Sequence, residues 1–213
     1  MQSFNHLHFG QVSAHIKKSF DELLPDPWLR EEDGKFRFRS FQKAVVNRRA
    51  EYYLKTDPVF YQSETLNHYS GGIQRKYPEL RADVASTILL QVVNEFLPLL
   101  PDISYNIGIH QIRITTEDRS PGYPAPEGIH QDGFSYIGIY CVGVNNITGG
   151  DTTLISCEEE PASRTTFKLN EGDAVIFNDV NYQHYTSAIV PLLPGKGYRD
   201  VFVMTFDGEQ EPA

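Results

Sequence analysis

Cysteine is scarce: Cys141 and Cys157 are the only two in 213 residues. Two thiols do not make a disulfide framework, and a reduced, cytosolic setting is the default they imply. Basic residues are in deficit as well, nineteen Lys and Arg against twenty-eight Asp and Glu, for a net charge of −9. A nucleic-acid partner calls for a basic excess or a basic face, so that class is set aside, and the scattered acids read as solubility. No apolar run approaches the ~18 residues of a membrane span. The first residues, Met1-Gln2-Ser3-Phe4-Asn5-His6, lack the basic-then-apolar layout of a signal peptide. Repeats, low-complexity tracts and a dividing linker are missing too. The expectation is one soluble, cytoplasmic domain over residues 1–213, with no membrane or nucleic-acid partner and an oligomeric state left open.

What is present is an ordinary globular mixture, 40% hydrophobic and 12% aromatic, long enough to bury a substantial core. Val12, Ile16, Phe20, Leu23 and Leu24 fall at helical spacing before Pro25. Residues 35–54 are ambiguous: Phe36 and Phe38 alternate as in a strand, Ala44 to Leu54 fits a helix as well, and the segment is read as strands. The clearest helix covers 80–97. There Val84, Ile88, Val92 and Phe96 make one stripe, Ala85, Leu89 and Val93 widen it, and Pro98 ends it. After Pro101 short β-rich runs follow one another at 103–115, 136–144, 152–156, 165–169, 174–177 and 198–206, with turn residues between them. The pattern predicts a mainly β fold (sandwich, barrel or jelly roll) with flanking helices. A mixed N-terminal flank would cover 1–100 and the β-core about 101–207.

The chemistry gathers in that second half. In Gly128-Ile129-His130-Gln131-Asp132-Gly133, an extended chain puts His130 and Asp132 on one face, roughly 6–7 Å apart, and turns Gln131 away. Gly128 and Gly133 permit a bend beside an ion. A facial site of two histidines and one carboxylate needs a second imidazole from a distant strand, and leaves positions open for oxygen activation by non-haem Fe(II). His184 is the best candidate, since it follows a buried strand (174–177) and a polar turn and starts another strand. His6, His8 and His15 lie near a terminus expected to be mobile, His68 in a Gly-flanked turn region, and His110 opposite Gln111 on its strand. Alone, a His-x-Asp pair matches many surface turns, and His184 alone reads as a hydrogen-bonded histidine; together they favour a metal site. Arg199 follows in Gly197-Tyr198-Arg199-Asp200-Val201-Phe202-Val203-Met204-Thr205-Phe206. It shares a face with Val201, Val203 and Thr205, so it needs an anion: a structural aspartate, or a ligand carboxylate gripped bidentately.

His130-x-Asp132, His184 and Arg199 resemble, in order and spacing, the double-stranded β-helix oxygenases that use Fe(II) and 2-oxoglutarate. Three further strings narrow the resemblance: Glu127-Gly128-Ile129-His130-Gln131-Asp132-Gly133, Gly149-Gly150-Asp151, and Asn178-Asp179 ahead of His184. With Arg199-Asp200-Val201, Phe60-Tyr61-Gln62-Ser63, residues 67–75 and Gln111-Ile112-Arg113, they look like the small bacterial family containing isoleucine dioxygenase. The likeness covers roughly residues 35 to 207. It implies a cupin-like jelly roll that hydroxylates an unactivated C–H bond of a small free amino or imino acid. Fe(II), 2-oxoglutarate and O2 would be needed, with succinate and carbon dioxide released. Iron would be held by His130, Asp132 and His184, and the 5-carboxylate of 2-oxoglutarate by Arg199. Where many relatives of the wider superfamily place a serine two residues after the arginine, this chain has Val201; Thr186, Thr205 or a tyrosine could supply that hydroxyl. Halogenases of the superfamily lack the carboxylate ligand, so Asp132 implies oxygenation.

The residues that meet the substrate are fixed by no motif. Gln111 and Arg113 share a strand face and bind either the substrate's polar end or a buried acid. Glu127 touches the substrate, orients the loop or pairs with Arg113. Residues 120–126 form either a lid or a proline-held turn, and Tyr136 and Tyr140 read as core or pocket wall. The alternative function is a cupin-like protein that binds a metal on the same residues and oxidises nothing.

Overall fold

The computed structural model describes residues 4–30, 35–65, 67, 71–118, 120–159 and 161–209. Strands dominate. Before the long helix come β1 (Phe4–His8), α1 (Ala14–Ser19), β2 (Arg37–Val46), β3 (Tyr52–Lys55), β4 (Val59–Phe60) and β5 (Arg75–Lys76). After α2 (Ala82–Gln91) come β6 (Ser104–Thr116), β7 (Tyr136–Asn145), β8 (Ile147–Gly149), β9 (Thr152–Ser156) and β10 (Arg164–Phe167). The chain closes with β11 (Asp173–Asn178), β12 (Tyr182–Thr186), β13 (Ile189–Pro191) and β14 (Gly197–Glu209). Seven strands form one sheet in the order β1-β11-β7-β14-β6-β2-β3, with antiparallel pairing throughout. A smaller sheet, β10-β9-β12, and the pairs β13-β8 and β4-β5 complete the jelly roll.

Alternation decides which residues face which layer. Ile137, Ile139 and Cys141 of β7, Val175 and Phe177 of β11, and Val201 of β14 pack against Leu154 and Phe167 from the small sheet. The opposite face of the large sheet presents Ile107, Ile109, Tyr140, Val142, Phe202, Met204 and Phe206 to the helices. Val12, Ile16 and Phe20 cover it from the first helical segment, and Val84, Ile88, Leu89, Val92 and Phe96 from the second. α2 runs on as a π turn over Val92–Phe96 and a 3-10 turn over Leu97–Leu99 that contains Pro98, and the helical run ends there. By length and composition the run Ala82–Leu99 would suffice to cross a membrane, which corrects the expectation drawn from run length. Its apolar stripe is buried against the sheet.

The first half of the chain contributes directly to the sheet, and two of its strands, β2 and β3, lie in the 35–54 segment read as strands. β1, β2 and β3 supply three of the seven strands, so residues 1–100 do not merely flank a core at 101–207. His6 and His8 lie in β1, which pairs with β11, and His8 Nδ1 stands 2.8 Å from Asp173; this stretch is no loose terminus. Leu24 is exposed, and the first helical segment ends earlier, with a 3-10 turn at Phe20–Glu22.

Candidate active site

His130 precedes β7 in a loop, yet its backbone pairs with β12 as a single antiparallel bridge. His130 N–H donates to the His184 carbonyl at 3.0 Å, and His184 N–H donates back at 2.8 Å. That bridge brings the two rings together, with centroids 4.3 Å apart. Asp132 completes the cluster: one ligand atom from each of the three residues lies within 4.8 Å of the others. Its carboxylate oxygens are 3.7 Å from His130 Nε2 and 3.4 Å from His184 Nε2. At metal–ligand bonds of about 2.1 Å, neighbouring donors stand about 3 Å apart, so the cluster fits a single ion after a small contraction.

The chain around these residues fixes their orientation. His130 Nδ1 is 2.9 Å from the Gly128 carbonyl, which leaves Nε2 for the ion. Gly128 and Gly133 have φ of 80° and 83°, the left-handed conformation that makes the bend on either side of the pair. The Asp179 carboxylate, from the turn between β11 and β12, accepts backbone N–H bonds from Asp132 (3.3 Å), Gly133 (2.6 Å) and Phe134 (3.1 Å). Gln131 points away, as alternation requires, and donates to the Asp179 and Val180 carbonyls. Gln62 Nε2 donates to Asp132 Oδ1 at 2.7 Å, while Gln62 Oε1 accepts from Arg75 at 2.6 Å and Asn67 at 3.1 Å. Burial pushes the Asp132 pKa up, but bonds and charge from His184 and His130, with the Gln62 bond, outweigh it and hold the group ionised.

Arg199 opens onto the same cavity as the triad. It is 3% exposed, and its Nε and one terminal nitrogen have no partner among the described residues. Burial lowers its pKa, against the pull of Cys141 and Asp151. A buried guanidinium left unpaired is costly, so the site is built for an anion. Gly150, at φ 77°, leaves room for it: a Cβ there would stand 3.1 Å from Arg199 Cδ. Thr186 and Thr205 line the cavity beside it, with Thr186 Oγ1 3.1 Å from Thr152 Oγ1. Glu127 also lines it, with Oε1 3.4 Å from His130 Nε2. Pro124 and Ala125 form part of the wall, while Gly122 is bridged to Ile189.

Two expected substrate residues are elsewhere. Arg113 and Gln111 do share a face of β6, but it is the helix side of the sheet. Arg113 grips Asp200 through two bonds of 2.7 Å and Asp21 at 2.8 Å. Gln111 is buried between Ser40 and Ser19. The cavity instead receives His110, Ile112 and Ile114 from β6, and Arg37 and Arg39 from β2. The alternation of arginines at 37 and 39 within a buried strand was a usable signal; the register that carries them to the cavity was not readable. His68, Tyr69 and Ser70 lie outside the described residues.

Residues 17–205 match the 2OG-Fe dioxygenase family. The chain belongs to that family. Two curated relatives are similar along most of their length. The 3(1)-hydroxy-L-isoleucine 4-dioxygenase of Pantoea ananatis (strain AJ13355) is 26% identical over 220 residues, covering 99% of this chain and 87% of the relative. The L-isoleucine-4-hydroxylase of Bacillus thuringiensis is 21% identical over 185 residues, covering 81% and 75%. Among solved structures, a bsmA homolog from Methylobium petroleophilum PM1 shares the fold, with a TM-score of 0.75, 22% identity and coverage of 93% and 82%. This dioxygenase therefore uses Fe(II), 2-oxoglutarate and O2, and the histidine–carboxylate cluster and the waiting Arg199 suit that set. The non-oxidising, cupin-like alternative finds no support in these matches.

Proposed function

We propose that the dioxygenase hydroxylates an unactivated C–H bond of a small free amino or imino acid in the cytoplasm, with His130, Asp132 and His184 as the iron ligands. The observation that carries this reading is the pairing, in one cavity, of a three-residue cluster able to hold a metal with a buried Arg199 whose Nε and one terminal nitrogen have no partner among the described residues. When bound, iron would activate O2 at the expense of 2-oxoglutarate: one oxygen atom would go into succinate as carbon dioxide leaves, and the other into the substrate C–H bond.

The chain's own residues bind and orient. Arg199 offers its planar fork to the 5-carboxylate of 2-oxoglutarate, and the Thr186 or Thr205 hydroxyl, on the same wall, supports it. Asp132, held ionised and fixed by Gln62 and the Asp179 turn, keeps the carboxylate position of the triad filled. Glu127, with Oε1 3.4 Å from His130 Nε2, takes the substrate's ammonium group in this reading. The names of the two curated relatives put isoleucine first among the amino acids to try.

The test is a panel of free amino acids added to protein loaded with Fe(II) and 2-oxoglutarate without oxygen, followed by admission of air and measurement of succinate. At least one amino acid should stimulate succinate formation and gain a hydroxyl group. Iron bound without a visible absorption band on addition of 2-oxoglutarate, or no stimulation by any amino acid, would overturn the reading.

A further inference from the structure

The cavity has a second cationic wall that the iron cluster and Arg199 leave unused. In β2, Arg37 and Arg39 stand opposite Ile114 and Ile112 of β6, which in turn stand opposite Arg199 and Val201 of β14. His110, the next cavity-facing residue of β6, lies between Phe41 and Val203. Arg39 therefore shares a sheet face with Arg199 but stands two strands away, about 10 Å across at ~4.8 Å per strand. One carboxylate at Arg199 cannot also satisfy it.

Arg39 and His110 form a unit. Arg39 Nη2 is 2.7 Å from His110 Nδ1. A guanidinium only donates, so Nδ1 accepts and the imidazole carries its proton on Nε2. Burial, with Arg39, Arg75 and Arg37 nearby, holds the His110 pKa well below its ordinary value, which keeps the ring neutral. Both residues are at least nine-tenths buried, and neither His110 Nε2 nor Arg39 Nε meets an acceptor among the described residues. The carboxylate beside them, Asp26, is engaged by Arg37 at 2.7 Å and stands 4.0 Å from Arg39 Nη1. Aromatic packing holds the pair in place: His110 stacks on Phe41 at 4.4 Å, and the Arg39 guanidinium lies 4.4 Å from the Tyr77 ring centre. Rigid buried donors without an acceptor are costly in the free protein and strong towards a matching anion.

We propose that Arg39 and His110 seat the carboxylate of the amino acid substrate, separate from the cosubstrate carboxylate at Arg199. This rests on the amino acid hydroxylase reading above. With the carboxylate there and the ammonium group at Glu127, both charged ends are held by the protein and the side chain is left for oxidation.

The test measures binding under anaerobic conditions, so that turnover does not enter. Protein loaded with Fe(II) and 2-oxoglutarate is titrated calorimetrically with free L-amino acids, L-isoleucine included, and with the carboxamide of each one that binds. On the wild type, carboxamides should bind at least tenfold more weakly than the acids. His110→Phe keeps the stack on Phe41 but removes the N–H, and should weaken acid binding about tenfold; Arg39→Gln should do the same or more. Affinity for 2-oxoglutarate should change less than twofold in both. If no free amino acid binds the wild type, the functional reading fails first. If an amino acid binds the wild type and folded variants alike, or its carboxamide binds as tightly as the acid, only the proposed seat fails. A loss of 2-oxoglutarate affinity with amino acid binding intact would also overturn it, by making the pair a cosubstrate site.

Discussion

His110 is 2% exposed, against two aromatic rings and beside three arginines, and this makes its proton a stability variable. The folded protein keeps the ring neutral, whereas the unfolded chain takes up a proton below the ordinary value of 6.5. Acidification therefore favours the unfolded chain. From this group alone stability should fall by about 1.4 kcal/mol per pH unit below 6.5. Urea denaturation between pH 7 and pH 5 should show a shallower decline in His110→Phe than in the wild type; parallel declines would mean that the wild-type ring protonates in place. Arg199→Lys keeps a charge but loses the two parallel bonds of the fork. It should raise the half-saturating 2-oxoglutarate concentration about tenfold or more, and an unchanged value would make Arg199 structural. At this scale the sequence was informative wherever alternation suffices. His130 and Asp132 share a face because they are two residues apart, and Arg199 shares one with Val201, Val203 and Thr205. Alternation also put Gln111 with Arg113 correctly, but it does not say which of a strand's faces looks into a cavity. For β6 it is the face of His110 and Ile112, and Arg113 closes on Asp200 behind the sheet.

The turn between β11 and β12 acts as an element that holds another element. Its one buried carboxylate, Asp179, gathers three successive backbone N–H groups of the loop that carries Asp132, and stands 3.8 Å from His184 Nδ1. Asp179→Asn keeps the shape but turns part of the acceptor into a donor facing those N–H groups. Iron affinity should drop by ten- to a hundredfold, in the range seen when outer partners of metal ligands are removed. A titration with Fe(II) that gives wild-type affinity would show that the loop holds itself. The β-rich runs of the second half were legible because turn residues separate them, and β14 kept its predicted two faces over residues 199–206. β1 was missed, and the strand read as starting at His184 begins two residues earlier, at Tyr182. Five-residue strands with mixed burial carry little periodic signal, and their place is set by partners far along the chain.

At the scale of the molecule, the candidate metal site joins parts that the sheet alone does not connect. His184 belongs to the small sheet, His130 and Asp132 to the loop leading into the large one, and Gln62 to the segment after β4. An ion bound to the folded state alone should therefore stabilise the whole fold, by about 2.7 kcal/mol at a hundredfold excess over its dissociation constant. Thermal melting with and without a chelator, using Ni(II) or Co(II) to avoid oxidation, should show a clear rise in Tm for the wild type and little for His184→Ala. Equal shifts in both proteins would place the bound ion elsewhere. The seven-stranded order draws on strands from both ends of the chain, and no local pattern encodes that. Long-range pairing follows from which faces must be buried together, and the sequence states the faces but not the partners.

Gln62 has an amide orientation fixed by its neighbours. Its two ends differ by a single atom type, and the neighbours on each side accept only one of them. An ionised carboxylate stands at the nitrogen and a guanidinium at the oxygen, so turning the amide over would set donor against donor and acceptor against acceptor. The side chain is thus a polarised rivet between an arginine and the proposed metal ligand Asp132, with its direction written by chemistry. Glutamate there would place a second negative charge within about 3 Å of Asp132, and the pair would share a proton at the carboxylate proposed to bind the metal.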